Sequence, residues 1–498
     1  MNRRILLVYA NTMMETVLSV NVSLLISCLK RADFEVRLFD TTFYKWSEKS
    51  ATEVRTEYLQ IKDVSDDDPL KLEYKKTDIY EDFRETVKEF DPVIIGFSAV
   101  EPTYFLALGL LKSIEDLKKS HDIKVVFGGI HSIMAPDVVV KEPLIDVVCV
   151  GEGENSLPEI CEKISRGEDY SGIPNMWVKK AGKIIKNQIR PLMDINELPY
   201  LDFTLYEDGR FLRPMMGKIY KTMIVEFSRG CPYVCSYCAD RALAKKSMSE
   251  GASWYREKDV QNAIDEIKYY IKEYQGEYLY IFSESFLAMP QRKFDEFIEK
   301  YKEISLPFWF NTRPENITAD KMKRLKTVNC HRVSIGIEHG NEEFRRKVLK
   351  RHVSNKEIIE ASRILKDSGI SFSVNNIIGF PDETRELVLD TVELNRQVAA
   401  DGISVHIFNP YHGTELRDYS VKKGYIKNDL ISTDFFIESL MDMPQFSKQQ
   451  IMGMYRTMLL YIKMPKEYFG EIKKAESFDD QGNDSFKRLK EIYIKNYS

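Results

Sequence analysis

The sequence predicts an α/β chain: a doubly wound parallel sheet, then a partial (βα)6 TIM-like barrel, then a mainly helical C-terminal region. Two observations predict it. Short continuous runs of Val, Ile and Phe alternate with helix-period segments in two separate series, the pattern of parallel strands covered on both faces. At 498 residues the chain is also too long for one core, since single cores stop growing near ~250–300 residues. The expected boundaries are an α/β domain over 1–170, a linker over 171–219, the barrel over 220–412 and a helical region over 413–498.

In the first series, 5–9 reads as a buried strand, 20–30 as the helix behind it and 35–39 as a second strand. A polar stretch from 45 to 80, rich in Asp, Glu and Lys, reads as an excursion or a loosely helical insertion. Strands follow at 93–97, 124–127 and 146–150, separated by helices near 104–118 and 134–140. Five such strands fit a Rossmann-like or flavodoxin-like sheet, where ligands sit beyond the carboxyl ends of the strands. The loops there read Asn11-Thr12, Ser98-Ala99-Val100-Glu101, Gly128-Gly129-Ile130-His131 and Gly151-Glu152-Gly153-Glu154. Small residues let backbone approach a ligand closely, although each loop taken alone also reads as a tight turn. No P-loop is present, and no G-x-G-x-x-G follows the first strand.

Residues 171–219 read as a connector, interrupted by Pro174, Pro191, Pro199 and Pro214. The second series has strands expected at 223–227, 278–282, 308–311, 333–337, 371–374 and 403–408. Helices are expected between them at 257–274, 291–302, 318–326, 356–368 and 385–399. Six such units suggest a partial barrel with its active site at the carboxyl ends of the strands. The remaining residues hold a strong helical pattern at 448–461 and read as a cap.

Composition narrows the function. With 72 Lys and Arg against 77 Asp and Glu, the net charge of −5 offers no basic footprint for nucleic acid. The apolar run behind Arg3 and Arg4 is shorter than a signal core, and no run approaches the ~20 apolar residues of a membrane span. Seven cysteines form an odd, sparse set, which argues against a disulfide framework and for a reducing, cytoplasmic location. Cys28, Cys149, Cys161 and Cys330 lie in apolar surroundings and read as packing residues.

The other three stand together. Cys231, Cys235 and Cys238 form C-x3-C-x2-C directly after the first barrel strand, in a loop with Gly230 and Pro232. Thiolates suit iron–sulfur clusters and zinc, but structural zinc and ferredoxin cubanes take four ligands. A zinc site recruiting a fourth ligand elsewhere and a metal-free loop are the alternatives. A cubane held by three thiolates leaves one iron open. The segment resembles the signature of the radical S-adenosylmethionine superfamily, and the resemblance implies a [4Fe–4S] cluster whose open iron chelates S-adenosylmethionine and cleaves it reductively. It also implies an external electron donor such as flavodoxin or ferredoxin.

The resemblance extends around the barrel. Ser283-Glu284-Ser285 follows the second strand, where the family binds the methionyl amine, although the family pattern there often reads Gly-Gly-Glu. Arg313, after the third strand, is placed to meet the carboxylate or to form a surface salt bridge. Gly336-Ile337-Glu338-His339-Gly340 resembles the G-I-E-x-G segment, which implies that Glu338 holds the adenosyl portion. Asn375, Asn376 and the run 379–384 resemble the turn after the fifth strand. Phe408 opens a segment like P-x-x-G-T after the sixth, with His412 where proline is more usual.

The N-terminal loops resemble those of the cobalamin-binding class of this superfamily. That implies cobalamin contacts from Asn11, Thr12, Ser98, Glu101, Gly128, Gly129, His131, Gly151, Glu152 and Gly153. A D-x-H-x-x-G signature is absent, so His131 stands open as a cobalt ligand, a corrin contact or a loop residue. The implied activity is methylation of an unactivated carbon of a small-molecule substrate. Other radical chemistry, and a non-catalytic iron–sulfur or zinc protein, are the competing readings.

Overall fold

The computed structural model describes residues 2–12, 17–46, 49–61, 74–247, 253–433 and 436–497. The chain divides into two compact units. The first is Met1–Ser50, Asp67–Gly230 and Ala239–Tyr278, and the second is Ala51–Asp66, Cys231–Cys238 and Leu279–Ser498.

The first unit is built on a sheet of β1 (Arg4–Tyr9), β2 (Glu35–Asp40), β3 (Ile94–Ser98), β4 (Lys124–Gly128), β5 (Val147–Cys149), β6 (Met176–Lys180) and β7 (Lys183–Lys186). Its order is β2-β1-β3-β4-β5-β6-β7. The first five strands are parallel, which is the flavodoxin-like order with its switch point between β1 and β3. Ile5, Leu6, Ile94, Ile95, Val125 and Phe127 are almost wholly buried, as strands sandwiched between helices must be. The helix Val20–Arg31 starts where the Ser19 side chain accepts from the Val22 amide, and it ends in Lys30 and Arg31, which suit the negative end of its dipole.

The expected linker is different. Residues 171–219 contain β6 and β7, an antiparallel hairpin that extends the first sheet, and β8 (Leu212–Met215). These strands are only four or five residues long, and prolines flank them, so their two-residue period does not stand out in the sequence. The strand expected at 223–227 forms as the longer β9 (Lys218–Glu226), paired antiparallel with β8 across Met216 and Gly217, both at positive φ. Short β10 (Ser228–Arg229) and β11 (Arg256–Glu257) then pair with each other.

The second unit carries the parallel strands β12 (Tyr278–Phe282), β13 (Phe308–Thr312), β14 (Cys330–Glu338), β15 (Ser371–Ile378) and β16 (Gly402–Ile407). Val333, Ile335, Ile337, Phe372, Val374, Ile403, Val405 and Ile407 alternate onto one buried face. Ser334, Ser373, Asn375, Ser404 and His406 alternate onto the other, so the concave side is polar. A short helix, Ala51–Glu57, forms inside the polar stretch at 45–80; residues 47, 48 and 62–73 of that stretch lie outside the described ones. That segment covers the last strand: Gln60 Oε1 accepts from the Val405 amide at 3.2 Å, and Arg55 donates to Ser404 Oγ at 3.3 Å. Helix Lys448–Lys463, opened by a Ser447–Gln450 capping box, is buried along most of its length.

Candidate active site

Most of the parallel strands end at loops that the sequence singled out, and the cysteine loop comes first. Gly230 has φ +85°, and a Cβ there would stand 2.5 Å from the Trp254 carbonyl oxygen, so only glycine fits. Just before it, Arg229 is held by Glu226 at 3.0 Å, Glu152 at 3.0 Å and Glu154 at 2.6 Å, and Glu152 also meets Arg256 at 2.6 Å. Burial works to raise the Glu152 carboxyl, but the Arg256 and Arg229 guanidinium groups outweigh it and hold the carboxyl below its usual range. Glu152, an expected cofactor contact, is thus paired with both arginines.

Beyond Gly230 come the three cysteines: Cys235 is buried, and Cys231 and Cys238 are half-buried. The loop is pinned from inside by Ser236, whose hydroxyl donates to the Val348 carbonyl at 2.6 Å and whose amide donates to the Leu349 carbonyl at 3.1 Å. Arg313 donates to Cys235 Sγ at 3.5 Å, lies 3.7 Å from the Tyr233 ring centroid and pairs with Glu315 at 2.6 Å. It is 7% exposed, so the surface salt bridge considered from sequence is excluded. Asn316 links Tyr233 at 3.1 Å to Ser285 at 3.1 Å. Ser283 is buried and Glu284 exposed at the end of β12.

Glu338 closes β14 in the left-handed region, φ +67°, after a register shift against β15. Its carboxylate folds back over Gly336, where a Cβ would lie 2.1 Å from Oε1. Burial pushes the Glu338 carboxyl up from its usual value, while Arg351, Arg313 and the Tyr237 hydroxyl pull it down. Among the described residues, Arg351 Nε and Glu315 Oε2 are buried without a hydrogen-bond partner. Such groups cost about 1–3 kcal/mol each, and a polar ligand beside the cysteines would offset that.

Two expected contacts turn elsewhere. Asn376 is fully buried and exchanges hydrogen bonds with Asn395 at 3.1 and 2.8 Å on the outer face of the sheet. Its neighbour Asn375 alternates onto the concave face, because strand side chains have period two. Phe408 is buried and packs on Phe380 at 5.1 Å, while Thr414 of the P-x-x-G-T-like segment caps the helix Glu415–Lys422. His412 pairs with Arg417 at 3.0 Å. Cys330, expected in the core, is buried at the amino end of β14.

In the first unit, the loops after β1, β3 and β4 gather at the switch point. Asn11 donates to Thr42 at 2.9 Å, next to half-buried Thr12, and Asn21 donates to Ser98 at 3.2 Å. Gly128 ends β4, and Gly129 has φ +94° with Ala99 O 2.4 Å from where a Cβ would be. Gly151 packs on the Asn175 side chain, and Gly153 on Leu25. His131 is 1% exposed, with Nδ1 3.7 Å from Glu101 and its ring 4.6 Å from Tyr104, whose buried hydroxyl has no hydrogen-bond partner among the described residues. Around this polar group Val100, Phe105 and Ile130 are exposed. An apolar rim around an unsatisfied donor fits a large ligand with a flat apolar face and polar side groups.

Sequence reasoning missed Tyr237, Arg351 and the buried pair His339–Glu383. Tyr237 lies between two of the cysteines and was visible by position. His339 meets Glu383, and Arg351 meets Gly336 and Glu338, only through folding of the chain between them.

Comparison with known proteins agrees. The Radical SAM superfamily description matches residues 225–394, and the B12 binding domain description matches 63–161. An uncharacterized methyltransferase of Pyrococcus horikoshii is 26% identical over 403 residues, covering 80% of this chain and 85% of that protein. An anaerobic magnesium-protoporphyrin IX monomethyl ester cyclase of Rubrivivax gelatinosus is 26% identical over 356 residues, 68% of this chain and 60% of that one. The cobalamin-dependent S-adenosylmethionine radical enzyme OxsB, solved with aqua-cobalamin and S-adenosylmethionine bound, superposes with TM-score 0.66 at 13% identity, covering 99% of this chain and 71% of that chain. At that identity the likeness speaks for the fold. The chain thus carries a radical SAM domain and a B12-binding domain, which take a [4Fe–4S] cluster, S-adenosylmethionine and cobalamin.

Proposed function

We propose that this enzyme methylates an unactivated carbon of a small-molecule substrate. The observation that carries the reading is the cysteine loop, three cysteines in C-x3-C-x2-C with the buried Arg313 donating to the middle sulfur, in a chain that also holds a B12-binding domain. The methyltransferase relative supports methyl transfer; the cyclase relative favours a second reading, in which the same machinery rearranges or oxidises its substrate.

When bound, the cofactors supply a reducing electron, an adenosyl hydrogen-abstracting group and a methyl carrier. The chain's own residues do the holding. Cys231, Cys235 and Cys238 would hold the cluster, and Arg313 donates to the Cys235 sulfur. Glu284, exposed at the end of β12, accepts from the methionyl ammonium, with Ser283 beside it. Arg351 Nε supplies an unused donor to the methionyl carboxylate, and Glu338 accepts from the adenosyl portion. In the first unit Asn11, Thr12, Ser98, Glu101, Gly128, Gly129 and His131 border the cobalamin site, with Gly151 and Gly153 behind them. The electron comes from a soluble donor such as flavodoxin or ferredoxin. The odd, sparse set of seven cysteines favours a reducing, cytoplasmic setting, and no helix among the described residues is long and apolar enough to cross a membrane.

Anaerobic reconstitution with iron, sulfide and cobalamin tests this. The expected result is 5′-deoxyadenosine formation that Cys235→Ala abolishes, together with a product heavier than the substrate by one CH2 group. A product of unchanged carbon count would replace methylation by the second reading. Full cleavage activity in Cys235→Ala would remove the cluster assignment.

A further inference from the structure

The G-I-E-H-G segment contains a residue to which the proposed function gives no role. His339 is fully buried, and both ring nitrogens are engaged: Nδ1 accepts from the Asn341 amide at 3.0 Å, and Nε2 lies 2.9 Å from Glu383 Oε1. An acceptor at Nδ1 places the proton on Nε2, so His339 donates to Glu383. The other Glu383 oxygen accepts from the Gly379 and Phe380 amides, the latter at 3.0 Å. One carboxylate therefore closes the turn after β15 and holds the residue that follows Glu338.

The surrounding contacts make this a rigid link. The His339 ring stacks on Phe344 at 4.4 Å, and its carbonyl accepts from Arg345 at 2.5 Å. The Gly340 amide donates to Thr391 at 2.8 Å, where a Cβ on Gly340 would stand 2.2 Å from the Asp390 carbonyl oxygen. Phe380, fixed by Glu383, meets the Tyr237 ring at 5.7 Å, and Tyr237 lies between Cys235 and Cys238. The ends of β14 and β15 and the cysteine loop thus share one buried junction.

Glu338 needs such a junction. A non-glycine residue in the left-handed region persists only where its surroundings over-determine it. We propose that His339 is a positioning residue for Glu338, acting through its buried bond to Glu383, and that the pair sets the affinity for the adenosyl cosubstrate. This rests on the assignment of Glu338 to the adenosyl portion.

Two amides at 339 separate the two halves of the imidazole. Asparagine keeps an acceptor near the Nδ1 position but cannot reach Glu383; glutamine keeps a donor near Nε2. The full chain is reconstituted with its cluster and assayed for iron content and for the electron paramagnetic resonance change when S-adenosylmethionine is added to the reduced cluster. Steady-state cleavage of S-adenosylmethionine then separates an effect on KM from an effect on kcat. His339→Asn is expected to raise KM about tenfold or more, the effect of losing one charge-assisted hydrogen bond, with iron content intact. His339→Gln is expected to recover most of that loss. Glu383→Gln leaves a single accepting oxygen where His339 and the Gly379 and Phe380 amides need two, so it breaks the same junction from the other side, and it decides the matter if His339→Asn does not accumulate. An unchanged KM in His339→Asn, or equal impairment of the asparagine and glutamine variants, overturns the proposal. A wild-type chain that holds iron but shows no response to S-adenosylmethionine instead overturns the reading of Glu338 on which it rests.

Discussion

Gly336 carries a demand that its own backbone does not explain. Its φ is ordinary, yet a Cβ would collide with the Glu338 carboxylate at 2.1 Å, and that carboxylate faces Arg351. Gly336→Ala therefore has to displace a charged group that is held in place, at a cost of about 1–3 kcal/mol. The expected outcome is a folded, iron-containing enzyme with a raised KM for S-adenosylmethionine, read from the kinetics of its cleavage; an unaltered KM would mean that the carboxylate moves freely. At this scale the sequence points to residues where chemistry names them, as for the three cysteines proposed to hold the cluster. It was not legible for Asn376, because two adjacent asparagines on one strand face opposite ways and only the pairing with Asn395 shows which is which.

Helices and strands followed their local signals closely. The helix Asn355–Ser368 shows why: Ser354 and Glu357 form a capping box, and Gly369 ends it at φ +65°. Ser354→Ala is expected to lower stability by about 1 kcal/mol, measured by denaturant unfolding, with little change in cofactor loading. Elements without such signals escaped. The hairpin of β6 and β7 is short and half-exposed, and the helix Ala51–Glu57 lies in a run of charge. Its place is set by contacts with Ser404 and Val405, some 345 to 349 positions away in sequence, which no local pattern encodes.

For the whole molecule, two measurements follow. Isolated anaerobically from cobalamin-fed cells, the chain is expected to hold about one corrin and about four irons per polypeptide, and chelating the iron should abolish S-adenosylmethionine cleavage while leaving corrin absorbance. The ion pairs of Glu152 with Arg229 and Arg256 give a pH dependence. A carboxyl held below its unfolded value of 4.5 contributes stability above that pH and loses it as the pH falls through the folded value. The Tm difference between wild type and Glu152→Gln is thus expected to be full at pH 7 and to shrink below about pH 4.5. A difference independent of pH would assign the effect of the substitution to packing.

By itself the sequence determined the two series of strands and helices, the cysteine triplet and the cofactor class, because hydrophobic period and residue spacing are local properties of a chain. Tertiary structure decided which polar groups are already spent on one another, as in Glu152 with its arginines and His339 with Glu383. A buried charge must find its partner wherever folding brings one, and that partner is rarely a neighbour in sequence.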